Sequence, residues 1–199
     1  MALAISEEHK DLADVAVSHL TRHRARAAAR ATLDTDAENA DAAELWSATA
    51  ALGWLGLHLP EEYGGSGFGL PELSVVLEAL GHEVAPGPFL PTVATSAVVD
   101  RFASDDVRAA VLPGLADGTA VGALGLSAGL VLDSDGIVSG ESRAVLGAPD
   151  ADILALVVGD DIVFSLGAIK GVGESAVEAL LEARAQAEGQ QWHQLDQQW

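Results

Sequence analysis

Two sets of side chains have a spacing that could carry chemistry. His19 and His23 lie one helical turn apart, a spacing that can bind a metal ion, but no H-E-x-x-H motif follows and nearby arginines oppose a cation. Glu174, Glu178 and Glu182 recur every four residues, so in a helix they share one face and could include a general base. A glutamate stripe opposite apolar residues is typical of a solvated face. We therefore predict no metal site and no catalytic residue from spacing alone.

Two further motifs are weaker. Gly167, Gly171 and Gly173 are spaced somewhat like a phosphate-binding loop, but no Gly-Lys-Ser/Thr follows, and close packing of small residues explains them better. Glu61 and Glu62 are adjacent, so their side chains point apart and form no acid–base pair. Neither motif assigns a reaction.

Composition excludes several classes of protein. The 199 residues, 49% hydrophobic, are enough for one or two small domains with a core. Thirty acidic and ten basic residues give a net charge of -20, which repels phosphate backbones, so no nucleic acid partner is expected. The absence of cysteine excludes disulfides and thiol nucleophiles. No apolar run approaches the roughly twenty residues of a membrane span. The N-terminus becomes acidic too early for a signal peptide, so we predict a cytoplasmic protein with no membrane partner.

The elements that would position these residues are helical up to residue 116. Ser6, Asp41 and Ser104 are predicted helix caps. Gly53 is a predicted C-cap, and the turn-rich stretch 60–65 follows it.

The next helix begins near Pro71 and ends at Gly81. One of its faces is apolar and is predicted to be core, comprising Leu73, Val76, Leu77 and Leu80.

The periodicity changes at residues 117–118 to short strands. Strand candidates are 120–126, 130–133, 137–140, 153–158 and 162–166. Tight turns at 133–136 and 159–161 favour antiparallel pairing. We predict an α+β fold with three parts: an all-α N-terminal domain, a small antiparallel β domain, and a C-terminal helix that opens a further helical region. Their bounds are 1–116, 117–166 and 167–199.

One stretch carries a family resemblance. Residues 52–89, LGWLGLHLPEEYGGSGFGLPELSVVLEALGHEVAPGPF, are similar to the N-terminal helical domain of the flavin-dependent acyl-CoA dehydrogenases. That family shows a G-x-x-G-L-x-x-P-E-E-x-G-G-x-G loop followed by a helix ending in E-x-L-G, and the match continues more weakly over 1–125. The resemblance implies a flavin enzyme in which a glutamate removes the α-proton of an acyl-CoA while hydride passes to the flavin.

The resemblance also implies cofactor contacts, and this chain departs from each motif. Leu126 and Ser127 resemble the entrance of the family's L-T-E-P-x-x-G-S-D loop, so they are candidate FAD contacts, but the rest of that loop is absent. In the family's G-x-K-x-W-I-[TS]-N motif, Ala144 and Val145 replace the aromatic residue and its neighbour, which removes a stacking surface. Residues 183–186 resemble the family's A-R-x-R sequence, which makes Arg184 a candidate FAD contact.

Three hypotheses follow from the resemblance. The first is a subunit or fragment of an acyl-CoA dehydrogenase that oxidises an acyl-CoA to the 2,3-enoyl-CoA in lipid or steroid catabolism. It would act with FAD in a homo- or hetero-oligomer with a complete subunit, and electron-transferring flavoprotein would be its electron acceptor. The second is a non-catalytic subunit that binds acyl-CoA or a partner without flavin. The third is a truncated chain or a reading-frame change near residue 185. The family's Q-x-x-G-G-x-G-[YF] stretch, near its usual base, is missing, so the isolated chain is predicted to be inactive.

Overall fold

The computed structural model describes residues 6–33, 40–126, 129–132, 138–142, 145–158 and 161–165. These residues form two compact units, the first ending at Thr119 and the second beginning at Ala120. The predicted fold class, helices followed by a small β region, is confirmed. The helix predicted from residue 167 and the turns predicted at 133–136 and 159–160 lie outside the described residues.

In the first unit, which we call the helical unit, the described residues form six α-helices. They are α1 Glu7–Arg22, α2 Ala25–Ala31, α3 Ala40–Ala51, α4 Leu70–His82, α5 Phe89–Phe102 and α6 Asp105–Asp117. Ser6 and Ser104 cap α1 and α6 as predicted, each accepting a hydrogen bond from a backbone N–H three residues on. Asp41 does not have the predicted cap position. It lies inside the first turn of α3, where its carboxylate still favours the positive end of the helix dipole.

One core cluster inside the helical unit is formed by residues from α1 to α5 and from the segment between α3 and α4. Four of its residues are almost completely buried: Leu20 of α1, Leu45 of α3, Leu55 between α3 and α4, and Val76 of α4. Of the four residues predicted to face this core from α4, three are buried, and Leu77 is partly buried at its edge. The apolar periodicity of α4 therefore identified the correct face.

Both ends of α4 contact the N-terminal part of the chain, the first end through α1 and the second through α2. Near the start of both helices, His9 Nε2 lies 3.1 Å from Glu72 Oε1. The ring's Nδ1 accepts the Ser6 backbone N–H, so Nε2 carries the proton and donates it to the carboxylate. Beyond the end of α1, Arg26 Nε lies 2.8 Å from Glu83 Oε2 at the end of α4. Since like ends meet, the two helices run in the same direction.

The loop after α3 is structural, as its glycines suggest. Gly53 has a φ of 73°, a conformation that costs glycine nothing and that ends α3. Backbone N–H groups of Ser66 and Phe68 donate to the carbonyls of Gly56 and Leu57, so the loop lies against the segment that precedes it. A methyl group at Gly65 would overlap with the backbone of Leu59. This close approach explains why a glycine stands there.

In the second unit, which we call the β unit, the described residues form five strands. They are β1 Gly122–Gly125, β2 Leu130–Leu132, β3 Val138–Gly140, β4 Ile153–Val158 and β5 Asp161–Ser165. β2 pairs with β3, and β4 pairs with β5, in the predicted antiparallel sense.

The pairing of β1 differs from the prediction, because β1 and β4 are parallel. The chain from 126 to 152 includes the β2–β3 hairpin, and it is long enough to return the chain to the starting edge before β4 begins. The sheet is therefore mixed, with the strand order β1-β4-β5.

Candidate functional site

The candidate cofactor contacts begin at the end of β1. Leu126 follows that strand directly, and its side chain is 69% exposed. Ser127 and Arg184 lie outside the described residues, so the structure places only the first of the three predicted contacts. The glutamates considered as a base, Glu174, Glu178 and Glu182, also lie outside them.

The structure brings together the two segments that the resemblance connects with flavin. The backbones of Leu124 in β1 and Leu146 form an antiparallel bridge. A methyl group at Gly125 would lie 3.1 Å from both the hydroxyl of Ser142 and a methyl of Val145. Residues 142, 145 and 146 therefore lie against the end of β1, and together with it they form one edge of the β unit.

Sequence reasoning missed Leu146 as a residue of this edge. Its side chain is 59% exposed, and its bridge to β1 places it beside the strand that leads to Leu126. No local pattern in the sequence indicates this position, because it depends on a bridge between residues 22 apart. Leu126 and Leu146 offer aliphatic contact to a flat apolar group, but they have no atom that can transfer a proton.

The described residues of this edge do not fit a whole FAD molecule. Its pyrophosphate is normally held by cationic side chains or by backbone N–H groups at a helix N-terminus. Within the described part of 120–165 there is no lysine, arginine or histidine and no α-helix. Val145 is too small to supply the stacking surface of an indole. We therefore derive no reaction step through FAD at this edge.

The helical unit contains a histidine–serine pair that could be mistaken for an activated nucleophile. His58 Nε2 lies 3.1 Å from Ser96 Oγ, and the Ser96 hydroxyl donates to the Val93 carbonyl at 3.1 Å. His58 Nε2–H is therefore the donor in the pair, and Ser96 is fully buried. Burial lowers the pKa of His58, while nearby Asp100 acts in the opposite direction. The pair has the wrong proton arrangement and no access to a substrate.

The second buried histidine is also structural. His19 Nε2 lies 3.2 Å from Thr49 Oγ1, and its ring lies 4.6 Å from that of His23. Burial, followed by the charges of His23 and Arg22, lowers the pKa of His19. Among the described residues, no group of three or more histidine, aspartate or glutamate side chains could hold a metal ion. None of the described helices combines the length and apolarity needed to cross a membrane.

A family model matches the helical unit. The model describes the N-terminal domain of acyl-CoA dehydrogenases, and it matches residues 6–119. That range ends where the helical unit ends.

Curated relatives have the same family name. The acyl-CoA dehydrogenase FadE12 of Mycobacterium tuberculosis is 40% identical over 91 residues, which are 44% of this chain and 23% of that protein. The acyl-CoA dehydrogenase IpdE2 of the same organism is 33% identical over 136 residues, 68% of this chain and 40% of that protein. The chain thus spans less than half the length of the curated relatives it matches.

Solved structures extend the likeness into the β unit. A variant of the Tcur3481-Tcur3483 steroid ACAD is 30% identical, with a TM-score of 0.63 over 81% of this chain and 48% of that one. The ChsE4-ChsE5 complex of Mycobacterium tuberculosis is 23% identical, with a TM-score of 0.62 over 82% of this chain and 48% of that one. This match shows a similar fold.

Proposed function

The chain belongs to the acyl-CoA dehydrogenase family, and from that premise we propose that it is a subunit or fragment of an enzyme that oxidises an acyl-CoA to the 2,3-enoyl-CoA. The observation that carries this proposal is the agreement between the family's N-terminal domain and one compact helical unit, residues 6–119. In this proposal the chain contributes a folded domain, and the assembled oligomer performs the reaction.

The cofactor is proposed for the assembled enzyme rather than for this chain by itself. Leu126 and Leu146 give an apolar edge that could touch a flat ring. Another subunit of the assembly would have to supply the cationic side chains that bind the FAD pyrophosphate. It would also have to supply the aromatic side chain that stacks on the flavin ring. Ser127 and Arg184 remain candidate contacts on this chain, and no residue of the chain is assigned as the catalytic base.

The proposed partners follow from the same division of roles. A complete acyl-CoA dehydrogenase subunit would supply the missing cofactor contacts. The resulting assembly would be a homo-oligomer or a hetero-oligomer. The similar Tcur3481-Tcur3483 steroid ACAD carries the names of two different chains, which supports an assembly of unlike chains. Its description as a steroid enzyme supports a steroid acyl-CoA as substrate. Electron-transferring flavoprotein is the proposed electron acceptor.

The test is an activity and composition measurement on the chain purified with and without a co-expressed complete subunit. Reduction of a dye acceptor by a panel of acyl-CoAs, in the presence of FAD, should be absent for the isolated chain and present for the complex. Native mass spectrometry of the complex should show both chains and flavin. Turnover by the isolated chain that follows it through purification would contradict the division of roles, and a complex whose activity needs only the complete subunit would contradict the proposal.

A second candidate is a non-catalytic subunit that binds acyl-CoA or a partner without flavin. The lack of a described cationic side chain in the β unit favours it. A visible flavin spectrum that requires this chain in the complex would support the first candidate. Acyl-CoA binding without flavin or turnover would support the second.

A further inference from the structure

Positive charge is concentrated at one place on an acidic chain. Four of the ten basic residues stand within nine consecutive residues, from Arg22 at the end of α1 to Arg30 in the last turn of α2, while the whole chain has a net charge of -20. All four are exposed, namely Arg22, Arg24, Arg26 and Arg30. Such a cluster forms a local positive potential on a surface that otherwise repels anions.

Most of this charge is not used inside the described fold. Arg26 pairs with Glu83, but Arg22, Arg24 and Arg30 make no ion pair with any residue that the structure describes. The helix dipole explains Arg22 and Arg30, which lie in the last turns of α1 and α2. It does not explain Arg24, which lies between the helices.

The same corner contains both non-glycine residues with positive φ among those described. Arg24 has a φ of 54°, and Val84 has a φ of 52°. A left-handed conformation is disfavoured for a long side chain and more so for a β-branched one. Val84 is also 64% exposed, so no burial of its side chain compensates for the strain. Residues held in this way tend to occur where a protein binds something.

The arginines and Val84 belong to one surface. The Arg26 guanidinium lies 3.3 Å from the carbonyl oxygen of His82. Arg24 lies two residues from Arg26 and Val84 two residues from His82, so each backbone lies within roughly 7 Å of the backbone of one partner in that contact. We call the surface formed by Arg22, Arg24, Arg26, Arg30 and Val84 the arginine corner.

We propose that the arginine corner docks an acidic polypeptide segment of a partner protein, with an apolar side chain of that segment resting on Val84. Carboxylates complement the unpaired arginines, and Val84 gives the apolar contact that a free phosphate could not use. A second copy of this chain is disfavoured as the partner, because two chains of net charge -20 repel each other.

The probes are two fluorescent peptides, a short oligoglutamate and the same peptide with a central leucine. Each is titrated with the full chain at about 50 mM salt, because surface charges are only weakly screened at that concentration. The wild-type chain should bind the leucine peptide more tightly. R24Q/R30Q should weaken binding of both peptides at least about tenfold, and R24K/R30K should restore most of it. V84N, which suits the left-handed backbone, should weaken only the leucine peptide, by a few-fold.

The matched control is K10Q/R101Q, which also removes two exposed positive charges but lies outside the corner. It should leave binding nearly unchanged, and thermal melting should show that all variants are folded. The proposal is overturned if the wild-type chain binds neither peptide, or if the control loses as much affinity as R24Q/R30Q. It is also overturned if pyrophosphate competes as well as the leucine peptide does. Binding that appears only in D34N/D36N/E38Q also overturns it, because the arginines would then pair with the chain's own residues 34–39.

Discussion

The two units of this chain differ in how much of their stability their own described residues can supply. The described residues of the helical unit form six helices, with a core cluster that connects α1 to α5 and with polar contacts from α1 and α2 to the two ends of α4. The β unit has strands of three to six residues and a small core around Leu156, Val158 and Val163. It also leaves Leu126, Val131 and Leu146 exposed. Short sheets with exposed apolar side chains usually gain stability from a covering element, so the helical unit should be the more autonomous of the two.

The largest expected effect is in the helical core. Leu20→Ala should lower the free energy of unfolding by about 2–5 kcal/mol, because Leu20 is completely buried and its removal leaves a cavity. Urea denaturation followed by helical circular dichroism measures this. Val15→Ala on the exposed side of the same helix is the control and should cost less than about 0.5 kcal/mol. The contrast between the units fails if Leu156→Ala in the β unit costs as much as Leu20→Ala.

The next effect concerns the loop after α3. Gly65→Ala should cost about 1–3 kcal/mol, because its methyl group would meet the backbone of Leu59, which cannot rotate away. Gly81→Ala is the matched control. No atom lies within 4 Å of the added methyl group there, and the position is helical, so a gain of about 0.5–1 kcal/mol is expected. Thermal melting of both variants measures the change in stability. Equal changes for Gly65→Ala and Gly81→Ala would show that the close approach of Gly65 to Leu59 does not affect stability.

A third effect is the pH dependence of the helical unit. Folding lowers the pKa of both His19 and His58 below the ordinary value of 6.5. The unfolded chain therefore binds protons more readily, so stability is complete above about pH 6.5 and is lost as the pH falls below it. Between about pH 7.5 and 5.5 the unfolding equilibrium constant should rise by up to about tenfold for each imidazole.

Glutamine variants test this pH dependence. H19Q/H58Q should flatten the stability profile over that range when urea midpoints are measured at several pH values, whatever the variant's absolute stability. V15A, the exposed control variant on α1, changes no titratable group and should leave the slope as it is in the wild type. A wild-type slope of zero would show that neither imidazole is held neutral by burial.

The smallest effect is expected in the β unit. Gly125→Ala brings a methyl group to 2.7 Å from a terminal methyl of Leu156 and to 3.1 Å from Ser142 and Val145 side chains. These are ends of side chains that can move, so the loss should be about 1 kcal/mol, at the low end of overpacking. Hydrogen exchange should locate it in β1 and 145–147. A loss larger than that of Gly65→Ala would mean that the β unit is the more rigid one.

The helical unit was largely predictable from sequence because its signals are local. Gly53, the Ser104 cap and the buried face of α4 each depend on neighbours within one or two turns. Leu77 shows the limit of that reasoning, since it shares the spacing of the core face but lies at its edge.

The β unit and its edge were less predictable because they depend on distant pairings. Tight-turn signals favoured antiparallel strands, yet β1 pairs with β4 across a long crossover and is parallel to it. Leu146 joins the candidate edge only through its bridge to Leu124. Leu126 could be found from its position after a strand and from the family motif, which are both readable along the chain.

The parallel arrangement of α1 and α4 has a consequence for synthesis on the ribosome. His9 and Glu72 are separated by 63 residues, so α1 leaves the ribosome well before the helix it packs against. At about 5–20 residues per second, that interval lasts roughly 3–13 seconds. During it, Ala16 and Leu20, later fully buried, have no partner from α4. The nascent chain therefore presents an amphipathic helix to chaperones for seconds before its native partner exists.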